Sequence, residues 1–250
     1  MTETIYVFDG HALHVVEEYD YPLQVADSFL VSEGRVRSLS KHQARFNGSA
    51  EKLTDLDLDL FWDEAIKLLP RTGQAFPRFE LSNGNLVFRL REPADYKPTV
   101  TLWTADEPDD RIDPSTKGPD LAHGSMLRRK SNLYGADEAI IVNEDGFVVE
   151  GALSSLLWWR DDVLYGPDDN TNWLPSITRS DLFDLASQAG YSTATENVRP
   201  EDLIGLELWV VSSLSGIRPV VDWVNLDGPV GPQRHLESFQ RRLKLMSSEL

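Results

Sequence analysis

GADEAIIVNEDGFVVEGALSSLLWWRDDVLYG, residues 135–166, holds four short apolar runs broken by turn residues. AIIV and FVVE flank Asp145-Gly146, and LLWWR and VLYG flank Asp161-Asp162. Runs of this length, rich in β-branched and aromatic residues and separated by Asp and Gly, read as strands, so the stretch predicts two successive hairpins of an antiparallel meander. Downstream, LPSITRSD opens a helix whose Leu182, Leu185, Ala186 and Ala189 keep one face until Gly190. LWVVSS and IRPVVDW add strands, and Leu236, Phe239, Leu243 and Met246 carry the period of a C-terminal helix.

Upstream, Asp27 to Arg37 reads as two short strands around Glu33-Gly34, followed by Ser38 or Ser40 as the cap of a helix carrying His42 and Arg45. Phe61, Ala65, Leu68 and Leu69 fall at i, i+4, i+7 and i+8 of a second helix that Pro70 ends. FPRFEL and LVFRLR around Asn83-Gly84 predict a hairpin, and TVTLWTA (99–105) a further strand. The acidic, proline-bearing DEPDDRIDPSTKGPD that follows reads as a linker and cleft-lining loop. The class is α+β in two domains, a small one over residues 1–105 and a larger one over 106–250.

The chain has 250 residues, 41% of them hydrophobic, enough for one large or two small cores. Forty-one acidic against twenty-four basic residues give a net charge of −17, which repels phosphate backbones and argues against a nucleic-acid partner. The absence of cysteine excludes disulfides, thiolate metal sites and cysteine nucleophiles. No basic, apolar leader opens the sequence, and no run approaches the ~20 apolar residues of a membrane span, so a soluble cytoplasmic protein is expected. The five histidines, His11, His14, His42, His123 and His235, are too scattered to suggest a metal site.

Four places suit chemistry. A helix start offers free N–H groups and a positive dipole end to an anion, and Ser176-Ile177-Thr178 after Pro175 is such a start, with Thr178 and Asp181 spaced like the ends of a capping box. The same pattern describes an ordinary capped helix. Val211-Ser212-Ser213-Leu214-Ser215-Gly216 leaves an apolar strand in a run of hydroxyls, which suits oxygen ligands or a plain turn. Of seven lysines, Lys117 stands apart: Gly118 and Pro119 leave little bulk around it, although surface loops also look this way. Glu150 ends an apolar strand beside Gly151 and Ala152, the pattern of a site that something approaches closely or of an edge glutamate facing water.

Taken in order, HQARF (42–46), TKGPDL (116–121), GADEAIIVNEDGFVVEGALSSLLWW (135–159), LPSITRSDLFDLASQAG (174–190) and LELWVVSSLSGIRPV (206–220) resemble the fold-type IV pyridoxal-phosphate enzymes. This is the class-IV aminotransferase family, which includes branched-chain and D-amino-acid aminotransferases and aminodeoxychorismate lyase. The resemblance runs from about residue 27 to 223 and implies a D-amino-acid-aminotransferase-like fold: a small N-terminal α/β domain and a larger cofactor-binding domain with an antiparallel or mixed sheet. It makes Lys117 the Schiff-base lysine and proton carrier, and Glu150 the partner of the pyridine nitrogen. Arg45, Ile177, Thr178 and Ser213 become ligands of the cofactor phosphate. Ser155 stands at a cofactor-contact position where an asparagine is often found, and Ser28 falls where lyases carry a proton-relaying hydroxyl. Ser176 replaces the usual glycine before the Ile-Thr pair, and Asp120 replaces an asparagine.

These roles suit the residue types. A carboxylate at the ring nitrogen favours its protonated, electron-accepting form. An arginine fork and a helix start let a chain of net charge −17 hold a phosphate. The resemblance implies pyridoxal 5'-phosphate as cofactor, a small amino substrate and a homodimer. The short chain and the KGPDL and SSLLWW segments favour the lyase that releases 4-aminobenzoate and pyruvate for folate synthesis. The alternatives are an aminotransferase for branched-chain or D-amino acids, and a non-catalytic member that binds a phosphate ligand or a partner.

Overall fold

A computed structural model describes residues 3–250. The chain forms two compact units: one takes in the described residues up to Asp95 together with Thr116–Pro119 and Met246–Leu250, and the other Tyr96–Ser115 and Asp120–Leu245. The first unit begins with strands β1 (Glu3–Phe8), β2 (Leu13–Val16), β3 (Leu23–Ser28), β4 (Val31–Ser32) and β5 (Arg35–Arg37), then helices α1 (Leu39–Ala50) and α2 (Leu58–Lys67). Strands β6 (Gln74–Ala75), β7 (Arg78–Ser82) and β8 (Asn85–Arg91) follow.

Five of these strands make an antiparallel sheet in the order β2-β1-β8-β7-β3. The expected β7–β8 hairpin pairs Ser82 with Asn85, and its two loop residues, Asn83 and Gly84, both have positive φ (50° and 74°). That is the type I′ geometry whose twist matches the strands, and an Asn-Gly pair enters it with little strain. Asp57 caps α2 by accepting the Leu60 N–H at 2.9 Å. The buried face of that helix runs through Phe61, Trp62 and Ala65, with Leu69 beyond its end. Leu68 instead lies in the open, because the helix stops at Lys67 and the 3.6-residue period stops with it. Trp62 stacks on Phe79 at 3.7 Å in a core shared with Phe29, Phe46, Phe61 and Phe88. Ser38 precedes α1 in a left-handed conformation (φ 53°) and makes no side-chain cap bond, so the expected hydroxyl cap is replaced by its carbonyl, which accepts the Lys41 and His42 N–H groups.

The second unit carries β9 (Val100–Thr104), α3 (Leu121–Leu133), β10 (Glu138–Val142), β11 (Val148–Gly151), β12 (Ser155–Arg160), β13 (Val163–Pro167), α4 (Ile177–Gln188), β14 (Ser192–Glu196), β15 (Glu207–Ser212), β16 (Gly216–Trp223) and α5 (Leu236–Leu245). The last strand, β17 (Ser247–Glu249), pairs with β5 in a small sheet of the first unit. The second unit's sheet is eight-stranded and mixed, in the order β11-β10-β9-β16-β15-β12-β13-β14. Both expected hairpins form, β10–β11 and β12–β13. They do not make a meander: β9, β16 and β15 stand between them, because β9 pairs in parallel with both β10 and β16. One face of this sheet closes over Leu102, Ile140, Leu156, Trp158, Val210 and Val220. The C-terminal helix packs Phe239 and Leu243 inward and lies on α4 and β16. The mixed α+β architecture is the one the resemblance implied. Among the described residues no helix is long and apolar enough to cross a membrane.

Candidate active site

In the first unit the candidate residues gather along β3. Asp27 is wholly buried. Its carboxylate accepts the Ser28 N–H (2.7 Å), His42 Nδ1 (2.6 Å), and Arg45 Nε and Nη2 (2.8 and 3.0 Å). Helix α1 supplies His42 and Arg45 three residues apart, which sets them on one face. Burial pushes the Asp27 carboxyl up, but the Arg45 charge and the His42 bond more than offset it and hold the group below the ordinary carboxylate range. Burial also pushes His42 below its usual value, so it is neutral and must donate from Nδ1 to the ionised acid. The Ser28 hydroxyl is buried and faces Arg91 Nη2 at 3.5 Å. The segment carrying Lys117 joins the same strand: the Ala26 N–H donates to the Lys117 carbonyl at 2.6 Å. Gly118 lies so close to β3 that a Cβ there would stand 2.3 Å from the Gln24 carbonyl oxygen. Glycine at 118 is thus required by a backbone approach, beyond the lack of bulk around the lysine.

In the second unit Glu150 is buried, 6% exposed, at the end of β11. It lies on the edge strand of its sheet but does not face water. Arg111 Nη1 and the Leu174 N–H (3.0 Å) both donate to its Oε1. Burial raises the carboxyl and outweighs the Arg111 charge and bond, leaving it at about 7. Leu174 lies just before α4, and the Glu150 charge also reaches Arg179 in that helix, so the acid and the start of α4 belong to one neighbourhood. The helix begins at Ile177 and is capped by Ser176, whose Oγ accepts the Arg179 N–H at 3.2 Å. Thr178 and Asp181 are therefore not the ends of a capping box. Both lie inside the helix and are buried, because Ser176 already has the extended backbone a cap needs (φ −78°, ψ 120°). Ser155 starts β12 opposite Val211 of β15, and Ser213 follows in the β15–β16 turn, which places the two serines at one end of the sheet.

Sequence reasoning missed two groups. Arg111, in the acidic loop, grips Asp109 through Nε and Nη2 (2.7 and 2.8 Å) while reaching Glu150, and nothing in DEPDDRIDP singles it out. Asp27 was signalled only as a lone acid in the apolar VADSFL. Four of the five histidines, His14, His42, His123 and His235, each face a carboxylate. No group of three or more His, Asp or Glu side chains among the described residues could hold a metal ion.

A putative branched-chain-amino-acid aminotransferase of Methanocaldococcus jannaschii is 28% identical over 85% of this chain and 81% of its own. Among solved structures, a hypothetical aminotransferase from Mycobacterium tuberculosis in its PLP-bound form superposes with a TM-score of 0.78 at 22% identity, covering 98% of both chains. A putative 4-amino-4-deoxychorismate lyase from Legionella pneumophila gives 0.79 at 18% identity, over 92% of this chain and 96% of that one. A fold IV-transaminase from Curtobacterium pusillum superposes as well, with a TM-score of 0.78 at 20% identity over 96% of this chain and 97% of that one, so the fold is the one these proteins share. The match to the amino-transferase class IV family model extends over residues 24–223, from the strand that anchors Arg45 to the last strand of the larger sheet, and the chain therefore belongs to that family.

Proposed function

We propose that the chain is a 4-amino-4-deoxychorismate lyase, releasing 4-aminobenzoate and pyruvate, with Lys117, Glu150 and Ser28 as its catalytic residues. Family membership makes it an enzyme that depends on pyridoxal 5'-phosphate and acts on small amino or keto substrates. When bound, the cofactor supplies an aldehyde that takes up an amine and a ring that accepts electrons from a neighbouring carbon. The residues present fit it. Glu150 is a carboxylate whose ionised form is disfavoured at about 7 in its buried setting, and a cationic N–H placed against it would relieve that cost and stay protonated. Arg45 supplies a permanently charged fork for the phosphate, and Ile177, Thr178 and Ser213 supply neutral donors. Ser155 lines the same end of the sheet as Ser213.

In this reading the Lys117 amine removes the proton from the amine-bearing ring carbon of the substrate. The bond to the enolpyruvyl oxygen breaks, and the Ser28 hydroxyl protonates the departing pyruvate enolate. One observation carries the lyase assignment: residues 26–28 of β3 bring together the Lys117 backbone, the Arg45 fork and the buried Ser28 hydroxyl. A second reading, transamination, is favoured by the 28% identity to the archaeal aminotransferase, and it uses the same lysine and acid. The working form is a homodimer in either case.

The experiment is to supply 4-amino-4-deoxychorismate without any keto acid. Equal release of 4-aminobenzoate and pyruvate supports the lyase. A strict need for an amino acceptor assigns transamination, and protein that stays colourless with added cofactor is a non-catalytic member.

A further inference from the structure

We propose that Asp27 is the positioning residue of the cofactor-phosphate site, holding the Arg45 guanidinium by its Nε/Nη2 edge in one orientation for phosphate binding, with His42 fixing Asp27 in turn. The proposal rests on the reading of Arg45 as a phosphate ligand. A wholly buried carboxylate is costly unless it is paired and hydrogen-bonded. Asp27 meets that condition with four donors, two of them from one arginine. An arginine side chain has four rotatable bonds, and two parallel bonds to one carboxylate leave its planar fork a single orientation. His42, itself 2% exposed and against the Phe29 ring at 5.1 Å, has no room to swing, so its bond to Oδ1 keeps the carboxylate plane in place.

Charge and geometry make opposite demands here, which separates them experimentally. Asp27 cancels part of the Arg45 charge. If charge alone mattered, Asp27→Asn would tighten phosphate binding. If orientation matters, the same change loosens it.

The test titrates the full chain, freed of cofactor, with pyridoxal 5'-phosphate and separately with pyridoxal, which lacks the phosphate, following cofactor absorbance. Partners that orient the ligands of a metal are commonly worth roughly 10- to 100-fold in affinity, and the same scale is expected for an arginine held toward a phosphate. Asp27→Asn is therefore expected to weaken pyridoxal phosphate by about that factor while leaving pyridoxal within about 2-fold, so the preference for the phosphorylated form collapses. His42→Gln retains the Asp27–Arg45 pair and is expected to erode the same preference by a smaller factor. It provides the readout if Asp27→Asn does not fold, which a thermal melt of the cofactor-free chain reveals. An unchanged or increased preference in Asp27→Asn overturns the proposal, and with that variant unfolded an unchanged preference in His42→Gln does so. Arg45→Gln separates the two levels: if it leaves the preference intact, the phosphate role of Arg45 fails, and the role of Asp27 falls with it.

Discussion

Glu150→Gln should stabilise the cofactor-free protein more as the pH rises. In the unfolded chain this carboxyl titrates near its ordinary 4.5, whereas in the folded protein burial holds it at about 7. Between those values the folded state binds the extra proton, so the stability contributed by this group falls as the pH climbs through the window, and the full cost stands above it. The gap is worth about 3 kcal/mol. Glutamine has nearly the same shape and accepts the Leu174 N–H, but it never ionises. Arg111 keeps its two bonds to Asp109 in the variant, and what it loses by the exchange enters as an offset common to every pH. The difference in unfolding free energy, variant minus wild type, is expected to grow by about 3 kcal/mol from pH 5 to pH 8. For a chain of this size that is roughly 6–12 °C in the difference between melting temperatures. Urea melts of both cofactor-free proteins at the two pH values measure it, and the groups they share cancel in the subtraction. A difference that stays constant, or shrinks with pH, would refute the claim that Glu150 sits in an environment hostile to its charge, and with it the fit to a cationic ring nitrogen.

Borohydride should trap the cofactor covalently on the wild type and not on Lys117→Ala; equal trapping would move the role to Lys130 or elsewhere. Gly118→Ala forces a Cβ against the Gln24 backbone, so the lysine segment must shift off β3 and the 2.6 Å bond from Ala26 must break. Displacements of about 1 Å in a catalytic group cost roughly 100-fold, and the rate of trapping should fall by about that much with the circular-dichroism spectrum preserved; an unchanged rate would show that the segment is not held there. Phe79→Ala removes the ring stacked on Trp62 at the centre of the first unit's core and should cost about 3–5 kcal/mol in a urea melt, a loss under about 1 kcal/mol showing that the core repacks.

Elements whose instructions are local were legible in the sequence. The Asn83-Gly84 turn and the two hairpins around Asp145-Gly146 and Asp161-Asp162 are written into a few adjacent residues, and the structure contains all three. The order of the larger sheet was not legible, because it depends on β9 pairing in parallel with strands far along the chain, and an apolar run such as VTLWT does not say which neighbours it will take. The site divides in the same way. Arg45 is marked only by the resemblance of HQARF to the family, and what fixes that arginine is an acid 18 residues earlier whose burial no local pattern announces. Glu150 read equally as an edge residue or as a site residue because the difference lies in what covers it, and its cover comes from Arg111, 39 residues upstream, and Leu174, 24 residues downstream. A buried charge is visible in a sequence only as an interruption of a hydrophobic period. Its protonation state depends on partners brought from elsewhere, so the acid–base character of Asp27 and Glu150, one held below the ordinary carboxylate range and the other raised above it, follows from tertiary structure even though both interruptions were present in the sequence.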